Sequence, residues 1–218
     1  MTSDPSAISF LLVDDHAIVR RGLRELLVEE FAGAAFGECA SGAEALAEIG
    51  SGRPWSVVLL DLSLPGRDGL EVLKDALALR PGVRILILSV HGEDQYAIRA
   101  LRAGAVGYVT KDAPPQDLAI AVRKVLAGGK YVSPRLAEQM VANLSDPKGS
   151  RPPHECLSDR ELQVLCMLAF GKSVKEIGAE LALSEKTIST YRTRIMGKMK
   201  MRSNGELMRY ALGAGLVK

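Results

Sequence analysis

The stretch Trp55-Ser-Val-Val-Leu-Leu-Asp61-Leu-Ser-Leu-Pro-Gly-Arg-Asp-Gly69 decides how the chain folds. Val57 to Leu60 are consecutively apolar, the pattern of a strand buried on both faces in a parallel sheet. Asp61 closes that strand, directly before a loop carrying Pro65-Gly66 and Asp68-Gly69. Open α/β sheets bind ligands beyond the carboxyl ends of their strands, so an acid at this point is a candidate for chemistry. A helix cap or a solvated loop acid is the plainer alternative, and the flanking sequence has to separate the two.

Outward from this stretch the strand–helix alternation repeats. Ile8 to Val13 reads as a strand stopped by Asp14-Asp15-His16, and Ala17 to Glu30 as a helix with Ile18, Leu23, Leu26 and Leu27 on one stripe. Ala34 to Cys39 is a weaker strand, and Ser41-Gly-Ala-Glu44 opens the next helix as a capping box. After Asp61 come a helix from Leu70 to Leu79, stopped at Arg80-Pro81, and a strand from Val83 to Leu88, finishing at Ser89-Val90-His91-Gly92. Glu93 to Arg102 is a helix ended by Gly104, and Val106 to Val109 a short strand followed by Thr110-Lys111. Pro114 suits the first turn of a helix reaching Ala127. Five such units predict an α/β doubly wound, five-stranded parallel sheet of order 2-1-3-4-5, with its switch point between strands one and three.

Tyr131 to Leu144 reads as an extended piece and one helix, and Ser145-Asp-Pro-Lys-Gly-Ser-Arg-Pro-Pro153 as a linker. Beyond it only helical patterns occur. Ser158-Asp-Arg-Glu161 is a second capping box, opening a helix with Leu162, Val164, Leu165 and Leu168. Ser173 to Leu181 is a short helix, Ser184 caps a longer one to about Lys200, and the last runs from Ser203 or Asn204 to near Gly213. The prediction is a first domain at 6–128, a connecting helix and linker at 129–153, and a small all-α four-helix domain at 154–218.

Composition narrows the classes. With 47% apolar and 25% charged residues, 218 residues suffice for two real cores. No apolar run reaches bilayer length and Met1-Thr-Ser-Asp-Pro lacks a basic-then-apolar leader, so a cytoplasmic protein with no membrane partner is expected. Cys39, Cys156 and Cys166 have no metal-ligand spacing and read as small, mostly buried side chains of a reducing compartment. The net charge of +2 divides unevenly: residues 154–218 hold 11 Lys and Arg against 7 Asp and Glu, while residues 1–153 hold 17 against 19. That asymmetry points to a polyanion partner for the C-terminal part.

The expected topology gathers Asp14 and Asp15 from the end of strand one and Asp61 from strand three at one crevice. Three carboxylates repel one another unless a cation sits among them, and hard, oxygen-seeking Mg²⁺ suits that set. Lys111, after strand five, reaches the same crevice as a point charge for a phosphoryl oxygen, and Ser89, after strand four, offers a hydroxyl. Together they suit phosphoryl transfer to a carboxylate nucleophile. Singly, Asp14 and Asp15 read as helix caps, Ser89 as a turn residue and Lys111 as a solvated side chain; their joint placement in chain order argues against those readings.

On Asp14-Asp15, Asp61 with its Pro65-Gly66 and Asp68-Gly69 loop, Ser89, Tyr108 and Lys111, residues 6–128 resemble the flavodoxin-like receiver domain of bacterial response regulators. The resemblance implies that Asp61 accepts a phosphoryl group from a sensor histidine kinase. It implies that Asp15, Asp61 and the Ser63 carbonyl bind Mg²⁺ directly, with Asp14 assisting through water, and that Ser89 and Tyr108 form a switch pair. Without the family, Tyr108 reads as ordinary strand packing. One departure is local: many receivers carry Pro directly after the lysine, where this chain has Asp112 and delays its prolines to Pro114-Pro115.

Ser184 to Lys200 has two faces. Ile188, Ile195 and Met199 keep helical spacing toward a core, whereas Lys186, Ser189, Thr190, Thr193 and Arg194 face elsewhere. A solvated basic helix is the plainer reading of the charge, and a helix in the major groove the sharper one. Leu157 to Leu165, Lys175 to Leu181 and Ser184 to Ser189 are similar to the LuxR-type helix-turn-helix. That similarity implies base reading by Ser189, Thr190 and Thr193, phosphate contacts by Lys186, Thr187, Arg194 and Lys198, and dimerisation through the last helix. Ser and Thr discriminate bases weakly, so no operator sequence is implied.

In this order the two matches resemble a response regulator of the NarL/FixJ type. The resemblance implies a transcription regulator that is phosphorylated on Asp61, forms a homodimer when phosphorylated and binds promoter DNA, with RNA polymerase as a further partner. The alternative is a phosphorylation-independent DNA-binding regulator whose receiver only dimerises. An enzyme is not expected, because aspartate-nucleophile phosphatases on related sheets need a second acid two residues after the nucleophile, where this chain has Ser63. The less basic first domain is expected to mask the basic helix or its dimer face until phosphorylation shifts that equilibrium.

Overall fold

A computed structural model describes residues 8–90, 93–145 and 152–217. The N-terminal reading at 1–5, the His91-Gly92 turn and most of the 145–153 linker lie outside the described residues. Contacts divide the chain into two units, Met1–Glu138 and Gln139–Lys218.

The first unit alternates β1 (Ser9–Val13), α1 (Ala17–Glu30), β2 (Ala35–Cys39), α2 (Gly42–Gly50), β3 (Val57–Asp61) and α3 (Gly69–Leu79). It continues with β4 (Ile85–Ser89), α4 (Glu93–Arg102), β5 (Gly107–Thr110) and α5 (Pro115–Leu126). The strands form one parallel sheet in the order β2-β1-β3-β4-β5, as the sequence predicts. Pairing sets Val13, Leu60, Ile87 and Tyr108 in one row. Asp14 and Asp61, each next in its chain, therefore come level at the carboxyl edge of adjacent strands. The division between the units falls inside α6 (Pro134–Ser145), within the segment expected to connect the domains.

Helices on both faces explain why the central strand β3 can be apolar from Val57 to Leu60, whereas the edge strand β2 carries exposed Glu38. Phe10, Leu12, Val57, Leu59, Leu86, Leu88 and Val109 meet Leu27 of α1 and Leu118, Val122 and Val125 of α5. Leu11, Val13, Val58, Leu60, Ile85 and Ile87 are equally buried and point to the other face. Each such side chain contributes about 2 kcal/mol on burial, which lets the sheet tolerate unfavourable charge at one edge. Ile18 corrects the α1 stripe: it is 85% exposed, because nine residues separate it from buried Leu27, half a turn around the helix wheel. Leu23 and Leu26 do pack against the core. At α2, the Ser41 hydroxyl accepts the Glu44 N–H at 3.3 Å, while the Glu44 carboxylate accepts from Ala40 rather than from Ser41's own amide.

In the second unit a 3-10 turn at Pro153–Cys156 leads into α7 (Asp159–Ala169), α8 (Val174–Glu180), α9 (Glu185–Met199) and α10 (Asn204–Gly213). α7 is buried from Arg160 to Ala169 and packs against α8, α9 and α10, which makes it the core of the unit. Capping boxes close both α7 (Ser158 with Glu161) and α8 (Ser173 with Glu176). All three cysteines are free; Cys39 and Cys166 are buried as expected and Cys156 is exposed.

The turn joining α8 to α9 is tightly built. A Cβ on Gly178 would lie 2.8 Å from the Leu183 carbonyl oxygen, and buried Arg160 donates to the Leu181 carbonyl at 3.3 Å. Ala182 takes a left-handed conformation, φ +52°. Because such a residue other than glycine costs on the order of 1 kcal/mol, Ala182→Gly is expected to stabilise this unit by up to about 1 kcal/mol. Chemical denaturation reads the effect as a higher midpoint at unchanged slope.

Candidate functional site

The carboxyl edge of the sheet brings the expected acids together. Asp14 and Asp61 are each 1% exposed, and the Asp15 side chain is 29% exposed. Lys111, fixed at the end of β5 by its N–H on the Ser89 carbonyl, bridges the two buried acids. Its ammonium lies 2.5 Å from Asp14 Oδ2 and 2.7 Å from Asp61 Oδ2. The other oxygens are also held: Asp61 Oδ1 accepts the Ser63 N–H at 3.0 Å, and Asp14 Oδ1 the His16 N–H at 2.8 Å. Ser89 and Tyr108 are fully buried on β4 and β5.

Burial is the largest influence on Asp61 and raises its pKa; the Lys111 charge and hydrogen bond and the Ser63 N–H pull the other way without cancelling it, and Asp14 adds to the rise. Burial pulls Lys111 down, and the neighbouring Asp61 and Asp14 carboxylates outweigh it, leaving the ammonium above its ordinary value. The site thus carries more negative charge than its one lysine neutralises.

Ligand atoms of Asp14, Asp15, His16 and Asp61 lie within 4.8 Å of one another. Asp15 Oδ1 is enclosed and takes no hydrogen bond, with His16 Nδ1 2.8 Å away. A cluster of hard carboxylate oxygens, one of them with no hydrogen-bond donor, fits a hard divalent cation.

Three residues contribute more than a reading by motif assigns them. Arg20 of α1 donates to the Asp14 carbonyl at 2.6 Å and fixes the end of β1. His16 joins the acid cluster, a role its place beside two acids could have signalled. Gly69 closes the loop after Asp61: a Cβ there would lie 2.4 Å from Leu62 Cα and 2.6 Å from the Asp61 carbonyl oxygen. Only glycine lets the chain return so close to the acid.

In the second unit Ser184 caps α9, accepting the Thr187 N–H at 3.1 Å and sharing a hydrogen bond with the Thr187 hydroxyl. Ile188, Ile195 and Met199 are buried as the spacing predicts, and Lys186, Ser189, Thr190, Thr193 and Arg194 are exposed on the rest of the helix. The Thr190 and Thr193 hydroxyls donate back to the Lys186 and Ser189 carbonyls. Both side chains are exposed, and each hydroxyl oxygen keeps its capacity to accept. Lys198 differs from the others: its ammonium lies 2.6 Å from Glu161 Oε2 of α7.

Burial raises the Glu161 carboxyl, but the hydrogen bond from Lys198 and those from Ser158 outweigh it and hold the group below its ordinary value. A carboxyl depressed in the folded state contributes stability above its unfolded value of 4.5 and loses it as pH falls through the folded value. The stability difference between wild type and Glu161→Gln, followed by denaturation across pH, is expected to be full above pH 4.5 and to shrink below it.

Comparison with known proteins agrees with this arrangement. Residues 10–123 match the response regulator receiver domain and residues 155–211 the luxR family of bacterial regulatory proteins. Response regulator UvrY of Escherichia coli is 36% identical over 209 residues, covering 96% of this chain and 95% of that protein. Response regulator GacA of Pseudomonas protegens is 38% identical over 210 residues, covering 96% and 98%. Among solved structures, RcsB of Salmonella enterica serovar Typhimurium bound to promoter rprA aligns with a TM-score of 0.64 at 27% identity, covering 93% of this chain and 98% of that one. Among the described residues no helix is long and apolar enough to cross a membrane. A receiver match followed in the same chain by a luxR-family match, with relatives more than a third identical along nearly the whole of both chains, shows that the chain belongs to the two-component response regulators of the NarL/FixJ type, with a LuxR-type DNA-binding domain.

Proposed function

We propose that Asp61 is the phosphoacceptor through which a sensor histidine kinase controls promoter binding by this chain. The observation that carries the reading is the Lys111 ammonium bridging Asp14 and Asp61, both buried at the ends of adjacent strands. In the transfer, an Asp61 carboxylate oxygen forms a bond to phosphorus as the phosphorus–nitrogen bond of the kinase phosphohistidine breaks, and the imidazole leaves. Lys111 then has a phosphoryl oxygen to neutralise, and the Ser89 hydroxyl donates to another. Tyr108 is the second member of the switch with Ser89.

The residues that would hold Mg²⁺ are Asp15, Asp61 and the Ser63 carbonyl, with Asp14 assisting through water. When bound, the ion supplies positive charge to phosphoryl oxygens that the surplus acids would otherwise repel. In the second domain Ser189, Thr190 and Thr193 read bases, while Lys186, Thr187 and Arg194 take phosphates. Lys198, expected at a phosphate from the resemblance, is excepted because Glu161 holds its ammonium. Domain limits of 6–128, 129–153 and 154–218, a cytoplasmic location, a homodimer on phosphorylation and contact with RNA polymerase complete the reading.

Incubation with a small-molecule phosphodonor and Mg²⁺, followed by mass measurement and peptide mapping, tests it. One phosphoryl group per chain on Asp61 is expected, together with an increase in the dimer fraction. Labelling elsewhere, or none, contradicts the assignment.

A further inference from the structure

We infer that Lys198 is a positioning residue for DNA binding rather than a phosphate ligand: held by Glu161, it pins the C-terminal end of α9 to the N-terminus of α7 and so sets the inclination of the helix that reads DNA. The Glu161 side chain is 4% exposed, and the oxygen that receives Lys198 also accepts the Ser158 N–H at 2.7 Å within the α7 capping box. One buried oxygen therefore joins two helices that pack against each other. If Lys198 turned to a phosphate, a buried carboxylate would lose the charge that offsets its desolvation. Among the described residues, exposed Lys186 and Arg194 make no ion pair, which leaves them available to phosphates.

The position of the latch gives it leverage. Ser189 and Thr190 lie nine and eight residues before Lys198, so at 1.5 Å per residue the lever is about 13 Å long. A change in tilt of roughly 10° at the latch displaces the base-reading side chains by about 2 Å, enough to break hydrogen bonds confined to a few tenths of an ångström. The depressed Glu161 carboxyl agrees with a charge pair that is intact near neutral pH.

The inference rests on α9 being the helix that contacts DNA, and the test separates the two. A duplex is selected from a random-sequence pool with the full wild-type chain, and its affinity is measured against salt concentration for wild type, Glu161→Gln, Lys198→Met and Arg194→Ala. Glutamine can still complete a capping box, and methionine keeps most of the lysine stem, so both variants remove the charge pair with little loss of packing. Glu161→Gln and Lys198→Met are each expected to bind the selected duplex about tenfold more weakly, the equivalent of losing one or two placed hydrogen bonds. Both should keep the wild-type salt slope. Arg194→Ala is expected to reduce that slope by about one, as loss of a phosphate contact requires. A phosphate-binding Lys198 gives the opposite pattern: Glu161→Gln frees the ammonium and binds as well as or better than wild type, and Lys198→Met lowers the slope by about one. Either result overturns the inference. An unchanged slope in Arg194→Ala instead overturns the placement of α9 in DNA, and the latch with it.

Discussion

Asp61→Asn is expected to abolish phosphoryl labelling and, without divalent cations, to raise the thermal midpoint of the receiver. The first effect removes the nucleophile. The second follows from the raised Asp61 pKa, which means that the charged form is disfavoured in the folded state. As pH rises past the ordinary value of 3.8 the unfolded chain ionises at this residue before the folded chain does, which draws the equilibrium toward unfolding. Wild-type stability should therefore decline through that window to the folded value, and Asp61→Asn should lack this decline. The neutral amide retains one oxygen for the Ser63 N–H, its NH2 takes the place of the oxygen that faced Lys111, and the ammonium keeps Asp14 as its partner. A variant that lost its label and also melted lower would point to a damaged loop rather than a missing nucleophile. Thermal unfolding in chelator, with labelling on the same preparation, distinguishes these outcomes.

Lys111→Met should act in the opposite direction. The lysine side chain is 15% exposed and lies between two buried carboxylates. Removing the cation from a buried pair costs about 3–5 kcal/mol, because a charge remains without its partner. The ammonium stands above its ordinary value of 10.5, so this contribution is present throughout the neutral range and is lost only at strongly alkaline pH. Denaturant unfolding in chelator should show the loss. Added Mg²⁺ should recover more stability in Lys111→Met than in wild type, since a bound cation restores charge compensation to the acids. Equal midpoints for the two proteins in chelator would show that Lys111 does not balance Asp14 and Asp61.

The site was readable from sequence where the chemistry is local to a strand end. Asp14-Asp15, Asp61, Ser89 and Lys111 each follow an apolar strand, and parallel pairing brings their edges together whatever fills the helices. The C-terminal helices were readable from Ser158 and Ser184, whose capping geometry spans only three residues. Contacts between distant segments were not. Lys198 reaches Glu161 across 37 positions, and a basic residue on a basic helix gives no sign that its charge is already engaged. Arg20 grips a backbone carbonyl, a partner every residue possesses, so its sequence signals nothing. Ile18 failed for a different reason: neighbouring apolar residues look like one stripe until their angles around the helix are followed. Gly69 could be recognised as a turn residue, but the Cβ-excluding approach to Asp61 belongs to the folded loop.

The most direct measurement compares affinity for the selected duplex before and after phosphorylation, with the phosphorylated fraction determined on the same sample. Phosphorylated wild type should bind about 5- to 150-fold more tightly, the range of a coupling free energy of 1–3 kcal/mol. Asp61→Asn should stay at the affinity of the unphosphorylated chain. If fully phosphorylated wild type binds no more tightly than the unmodified protein, Asp61 does not control DNA binding, and the receiver serves the chain only as a dimerisation module.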